Sequence, residues 1–158
     1  MDPKTLHTLE YFKILERLAN YCAFAASADK ARALRPTANL EEAQLRLKQT
    51  TEAVQMLVTR PDLTIGGARD VRTQVDLAAH GGVLAPTDLL DLKSLLIAAR
   101  TLARTFERLG TQFPTLSEIA ARIPTAQGLV DSITRAISDR GEILDSASEK
   151  LNTIRRQL

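Results

Sequence analysis

Apolar residues along this chain recur three, four and seven positions apart, which is the spacing of one face of an α-helix. The two longest patterns of this kind predict helices over 40–59 and 86–109. The inward stripe predicted for the first helix contains Leu40, Ala43, Leu47, Thr50, Thr51, Val54, Leu57 and Val58. Its opposite face is polar, includes Glu52 and is predicted to be solvated.

Cap and breaker residues set the ends of both long helices. Asn39 with Glu42 forms a capping-box pattern before the first, and Pro61 ends it. Pro86 suits the first position of the second helix, and Gly110 ends it.

Shorter apolar patterns separated by Gly, Pro and Ser predict five further helices. They cover 9–24, 28–34, 71–79, 116–123 and 126–138, with caps expected at Thr5 or Thr8, Ser27, Asp70 and Thr125. No segment alternates with period two over a sustained length, so no strand is predicted. The sequence therefore predicts an all-α fold, an antiparallel helical bundle joined by short loops.

The last helix begins with clear signals and has no stop signal. A reversal at Asp139–Gly141 leads to Ser146 and Glu149, a second capping-box pattern. Ala147, Leu151, Ile154 and Leu158 then lie on one face. No Gly, Asn or Pro follows Leu158, so we interpret the chain as a segment of a longer protein. We divide it into a helical core domain, 1–145, and the start of a long helix, 146–158.

Composition excludes several classes of protein. Aromatic residues are 4% of the chain, Trp is absent, and the net charge is only +2 from 21 basic and 19 acidic residues. The charge gives little general attraction to nucleic acid or membranes. No apolar run is long enough to span a membrane, and no signal peptide is visible. With one cysteine, Cys22, the expected setting is cytoplasmic.

No catalytic, cofactor-binding or metal-binding residue is predicted. The pairs Gly66-Gly67 and Gly81-Gly82 lack the following Gly-Lys of a phosphate loop and are interpreted as helix-ending turns. His7 and His80 have no partner at metal-ligand spacing and are expected at the surface or at helix caps. We therefore expect no enzyme activity from this segment.

One directional feature stands out on the second long helix. Arg100, Arg104 and Arg108 recur every four residues and form a ridge opposite its apolar stripe. Three guanidinium groups at this spacing could contact phosphates of DNA or RNA. The alternative is a solvated face, partly paired with Glu107. Arg155 and Arg156 on the last helix are similarly either solvated or paired with an element outside this segment.

Four stretches together resemble the beginning of type-two MutS proteins, a bacterial branch of the MutS-family ATPases. They are KTLHTLEYFKILERLANY at 4–21, GGARDVR at 66–72, GGVLAPTDLL at 81–90, and GEILDSAS at 141–148 with IRR at 154–156. Their joint order spans nearly the whole chain. Two positions depart from the family pattern: Ala85 stands where Ser is usual, and Glu149 where Pro is usual.

The resemblance implies the helical core of a larger protein. The family core leads into lever helices and a coiled-coil clamp, then into a dimeric ATPase and a C-terminal Smr nuclease domain. The family is associated with branched DNA, suppression of homologous recombination and rescue of stalled ribosomes. ATP, Mg²⁺ and nuclease sites would then lie beyond this chain, and the helix from Ser146 would be the start of a lever.

Overall fold

All regular structure in the computed structural model is helical, as the sequence predicts. The model describes residues 2–63, 65 and 67–157, without the side chain of Gln127. The helices are α1 (Pro3–Thr8), α2 (Tyr11–Asn20), α3 (Ala25–Arg32), α4 (Leu40–Thr59), α5 (Arg72–Ala79), α6 (Pro86–Leu109), α7 (Pro114–Ala120), α8 (Gln127–Ala136) and α9 (Glu149–Gln157), with a 3-10 turn at Asp145–Ala147. No strand occurs in the described ranges; an isolated antiparallel bridge pairs Ile137 with Ile143. The all-α prediction is confirmed.

The bounds of α4 and α6 match the sequence prediction because local caps fix both starts. The Asn39 side chain accepts a hydrogen bond from the Glu42 amide at 3.0 Å. At α6 the Asp88 carboxylate accepts from the Ala85 amide at 2.9 Å. Each start thus uses one half of a capping box. The other half is missing at α4, where the Glu42 carboxylate accepts from the hydroxyl of Thr37 instead.

The helix predicted over 9–24 is confirmed only in part, because α2 is shorter, Tyr11–Asn20, and a separate helix, α1, precedes it. Glu10 adopts a left-handed conformation with φ 51°, a region that residues other than glycine rarely enter. The Thr8 hydroxyl donates back to the Lys4 carbonyl at 3.0 Å, so it does not cap α2.

Two predicted caps are also wrong. Helix α3 begins at Ala25, ahead of Ser27. Helix α9 is capped by Ser148, whose hydroxyl accepts from the Leu151 amide at 3.1 Å. Ser146 cannot serve, because it lies in the 3-10 turn and donates its hydroxyl to the Arg135 carbonyl at 2.6 Å. At α5 the Asp70 carboxylate does accept from an early amide, that of Arg72, at 3.2 Å.

The chain folds into two compact units. The first unit holds α1–α4, α7 and the part of α6 from Ala103 onward. The second holds α5, α6 up to Leu102, α8, the 3-10 turn and α9. Buried apolar side chains of the first unit are Leu15, Ala19, Ala31, Phe106, Phe113 and Ala120; those of the second are Val71, Val130, Ile133 and Ile137. A domain boundary at residue 146 stays a prediction.

The predicted inward stripes differ in outcome. The stripe predicted for α8, with Leu129, Ile133, Ala136 and Ile137 inward, is confirmed in part: Ile133 and Ile137 are buried and Ala136 is half-buried, whereas Leu129 is 49% exposed. On α4 the prediction is wrong: Leu40 and Val58 are 69% and 76% exposed, while Glu52 from the supposedly solvated face is buried. Four further apolar residues at helical spacing, on α2 or next to it and on α5, are exposed although their spacing predicts burial: Ile14, Leu18, Tyr21 and Val75. Leu158 lies outside the described residues.

Candidate functional site

The arginine ridge forms only in part. Arg104 and Arg108 are exposed on the portion of α6 that belongs to the first unit. Arg100 is half-buried and belongs to the second unit. In the part of the chain that the structure describes, no carboxylate lies within ion-pair distance of these three guanidinium groups, and the suggested pairing with Glu107 does not form. Arg104 and Arg108 are therefore available to an anion.

The first unit contains a buried polar cluster that the sequence did not predict. Glu52 on α4 is 6% exposed and Thr115 on α7 is 5% exposed. The Thr115 hydroxyl donates to Glu52 Oε1 at 2.6 Å, and the Leu116 amide donates to Oε2 at 2.9 Å. Helix α7 begins after Phe113, which has no side-chain oxygen. The Glu52 carboxylate therefore acts as the N-terminal cap of α7, supplied from a distant helix.

The environment of Glu52 favours its charged form. Burial by itself penalises the charge. The hydrogen bonds from the Thr115 hydroxyl and from the amides of Leu116 and Thr115 outweigh that penalty and lower the pKa of the Glu52 carboxyl. A carboxylate held in this way ties α4 to α7, and it is an acceptor of structural hydrogen bonds without a proton to transfer at neutral pH.

Only a weak signal in the sequence could have indicated this cluster. Pro114 predicts the start of a helix, yet the preceding Phe113 cannot cap it. A helix start that lacks its own acceptor needs one from elsewhere. Periodicity cannot say which acceptor, because Glu52 lies more than sixty residues earlier in the chain.

In the second unit, polar contacts from the last turn of α9 attach this helix to the segment before it. Arg155 Nη1 donates to the Ile143 carbonyl at 3.0 Å and to Asp145 Oδ1 at 2.6 Å. The Ser146 hydroxyl ties the 3-10 turn to the end of α8. Arg155 therefore forms its ion pair within the chain. Neither alternative from the sequence, a solvated side chain or pairing with an element outside this segment, describes it. The side chains of Glu142, Ile143, Leu144, Asp145 and Arg155 line an open crevice of about 500 Å³.

The reversal before α9 is as predicted, although its bonds come from a different residue. Gly141 has φ 82°, and its amide donates to the Ser138 carbonyl at 2.9 Å. The Ser138 hydroxyl accepts from the amides of Arg140 and Glu142. Asp139, which was expected to bond its own backbone, accepts instead from Lys93 Nζ on α6 at 2.9 Å.

The remaining predicted positions have structural roles. Gly81, with φ 80°, ends α5 as expected. Gly66 lies outside the described residues. His80 Nδ1 lies 2.8 Å from the Asp76 carbonyl at the end of α5, which confirms a cap role, and His7 is exposed. Cys22 is half-buried.

Across residues 2–63, 65 and 67–157, no three His, Cys, Asp or Glu side chains converge at metal-binding distance. None of the helices in those ranges has the length and apolarity to cross a bilayer.

Several known proteins similar to this chain are named endonuclease MutS2. Endonuclease MutS2 of Thermomicrobium roseum is 39% identical over 161 residues. The proteins of the same name from Bacillus cytotoxicus and Pelotomaculum thermopropionicum are 36% and 35% identical. Each alignment covers 100% of this chain, which spans only 20% of the length of each of those relatives. No protein-family model matches the chain.

Proposed function

We propose that this chain is a non-catalytic core module of a larger MutS-family protein, because it is similar along its whole length to a fifth of each endonuclease MutS2 relative. In this proposal the module couples an ATPase to a DNA clamp, both formed by other parts of the longer polypeptide. The module itself holds no ATP, Mg²⁺ or nuclease site.

The observation that carries the proposal is the attachment of α9 to the segment before it. A helix transmits a rotation or displacement to a domain only if it is firmly attached to that domain and cannot move separately from it. Arg155 bonds the helix to the segment before it, and Ser146 bonds that segment to α8. These contacts suit α9 to the role of a lever.

The test uses a hybrid protein in which this chain replaces the matching residues of Thermomicrobium roseum endonuclease MutS2. We expect the hybrid to hydrolyse ATP and to hydrolyse it faster when branched DNA is added. Arg155→Ala should reduce that DNA stimulation several-fold and leave the rate without DNA unchanged, because it loosens the base of α9 without touching the ATPase.

Arg156→Ala is the matched control, since it removes the same charge one residue away. Arg156 is exposed and, within the described residues, forms no ion pair. Equal stimulation in the two variants and the parent hybrid would contradict the lever role. Turnover of ATP or cleavage of DNA by the isolated chain would contradict its non-catalytic role.

The wider role of the longer protein is part of the same proposal. We infer that it binds branched DNA and suppresses homologous recombination, with rescue of stalled ribosomes as a second role. It would act in the cytoplasm as a homodimer joined through its ATPase. The name of the relatives, endonuclease MutS2, supports the nuclease component of this inference.

A second candidate function is direct nucleic-acid binding by Arg100, Arg104 and Arg108. The exposed and unpaired guanidinium groups of Arg104 and Arg108 favour it, since they can meet phosphates without first giving up a partner. Half-buried Arg100 would contribute less.

Fluorescence anisotropy with a labelled four-way DNA junction tests this candidate. Binding at low salt should weaken at least several-fold in the double variant Arg104→Ala/Arg108→Ala. The slope of log K against log salt concentration should also become shallower, by the amount expected for about two lost phosphate contacts. Arg17→Ala with Lys48→Ala removes the same charge from other exposed positions and serves as the control. Absence of binding, or equal loss in both double variants, would exclude the ridge as a specific interface.

A further inference from the structure

Helix α4 leaves its apolar side uncovered along its whole length. Five aliphatic side chains on this side are 55–76% exposed: Leu40, Leu47, Val54, Leu57 and Val58. The opposite side holds Glu52, which is buried against α7. The packed side of α4 is mixed, with Gln49, Ala53 and Met56 half-buried beside Glu52, and the more apolar side faces solvent, unlike in an ordinary amphipathic helix.

The exposed residues follow the seven-residue repeat of a coiled-coil seam. Leu40, Leu47 and Val54 occupy one position of successive heptads, and Ala43, Thr50 and Leu57 occupy the position three residues later. We call these six residues the α4 seam. Thr50 does not interrupt it, because its hydroxyl donates to the Arg46 carbonyl of its own helix at 2.8 Å and leaves its methyl group for packing.

We propose that the α4 seam binds the α4 seam of a second copy of this chain, with the two helices antiparallel about a two-fold axis between residues 48 and 49. This proposal is independent of the proposed function, because it concerns a different helix and a different property.

The sequence of the seam fits itself in this orientation. The axis brings Leu40 against Leu57 of the other copy, Ala43 against Val54, and Leu47 against Thr50. Two of these three layers place a larger side chain against a smaller one, as close packing of facing helices requires. Each layer occurs twice, so the whole seam is used.

Helix dipoles favour the antiparallel arrangement over the parallel one. In the antiparallel pair the two dipoles oppose one another, whereas in a parallel pair they would align. The charges at the ends of α4 do not decide the orientation, because Glu42 pairs with Arg46 and Arg60 with Asp62 within the same copy.

The available area suits a weak dimer. The four exposed aliphatic side chains of the seam offer on the order of 100 Å² each and Ala43 and Thr50 add less, so two copies would bury about 1,000 Å² of surface. This is near the lower limit for a specific interface, so the dissociation constant should be micromolar, on the order of 10 µM.

Sedimentation velocity of the chain over a range of concentrations tests the association. We expect a monomer–dimer equilibrium, and Leu47→Glu should weaken it about tenfold or more. Ile14→Glu places the same charge at an exposed apolar residue of α2 and should leave it unchanged. Circular dichroism checks that both variants keep their helices. A monomer at all concentrations to about 200 µM, or equal weakening by the two variants, would overturn the proposal.

Disulfide crosslinking tests the orientation, with Cys22→Ser as background and oxidised glutathione as oxidant. Leu40→Cys combined with Leu57→Cys should crosslink two copies, since the two positions meet across the axis. Leu40→Cys alone should not, because its two copies would lie about 25 Å apart. Efficient crosslinking by Leu40→Cys alone would indicate parallel helices and overturn the antiparallel assignment.

Discussion

Helices α4 and α8 have similar apolar periodicity and opposite environments. On α8 most of the stripe is covered: Val130, Ile133 and the adjoining Ile137 are at most 8% exposed, and Leu129 at its beginning is half exposed. On α4 the stripe is exposed and a carboxylate is buried instead. The two helices also begin differently, since α4 has the Asn39 cap and α8 has no side-chain cap. Periodicity thus shows that a helix has an apolar face, whereas only tertiary packing decides whether that face is covered within the same chain.

The largest effect should come from the covered stripe. Ile133→Ala leaves a cavity beside residues that cannot fill it, and we expect the free energy of unfolding to fall by about 3 kcal/mol. Urea denaturation followed by circular dichroism measures this loss. A change below about 1 kcal/mol would mean that α8 does not depend on burial.

The buried side of α4 should give the next largest effect. Glu52→Gln replaces one of the two acceptor oxygens with a donor facing the donors of α7, at a cost of about 2 kcal/mol. Because the folded pKa of Glu52 lies below its ordinary value near 4.5, its contribution is complete above that pH and is lost as the pH falls toward the folded pKa.

This pH dependence can be separated from that of other carboxylates by difference. Urea titrations of the wild type and Glu52→Gln at several pH values should converge as the solution is acidified below about pH 4.5. A constant difference between them down to acid pH would show that the charge of Glu52 is not what joins α4 to α7.

The cap of α4 should have a smaller effect. Asn39→Ala removes the acceptor for the Glu42 amide and should destabilise the first unit by about 1 kcal/mol. Hydrogen exchange should locate the loss of protection in the first turn of α4, because a cap acts locally. Fraying spread along the whole helix would instead indicate that α4 depends on this cap for its existence.

The exposed side of α4 should give the smallest effect. Leu47→Gln at protein concentrations well below the micromolar range should change the free energy of unfolding by no more than about 0.5 kcal/mol, since the side chain is 68% exposed. A loss as large as that of Ile133→Ala under the same conditions would show that the α4 stripe is covered in solution by the chain itself.

Local chemistry made much of the fold predictable. The bounds of α4 and α6 follow from Asn39, Pro61, Pro86 and Gly110, whose effects act within one helical turn. The resemblance to type-two MutS proteins could also be recognised from ordered motifs, and relatives named endonuclease MutS2 confirm that resemblance. The break at Glu10 could not be predicted, because glutamate has no preference for the left-handed conformation that it adopts here.

The buried cluster and the cap of α9 escaped prediction for a related reason. Glu52 looks solvated on its own helix, and its partner Thr115 comes from a separate part of the chain. Ser146 and Ser148 are both suitable caps by type, and the hydrogen bond from Ser146 to Arg135 decides between them. These outcomes depend on contacts between segments, which no window of one helix contains.

The reversal between α8 and α9 carries a consequence for sequence evolution. The Ile137–Ile143 bridge, the Gly141 turn and the bond from the Leu144 amide to the Ala136 carbonyl define one fixed path. Inserting or deleting a residue within 137–144 would shift the register of these hydrogen bonds and change the direction in which α9 leaves the turn. Length changes among homologues should therefore avoid 137–144 and accumulate in loops that no such register constrains.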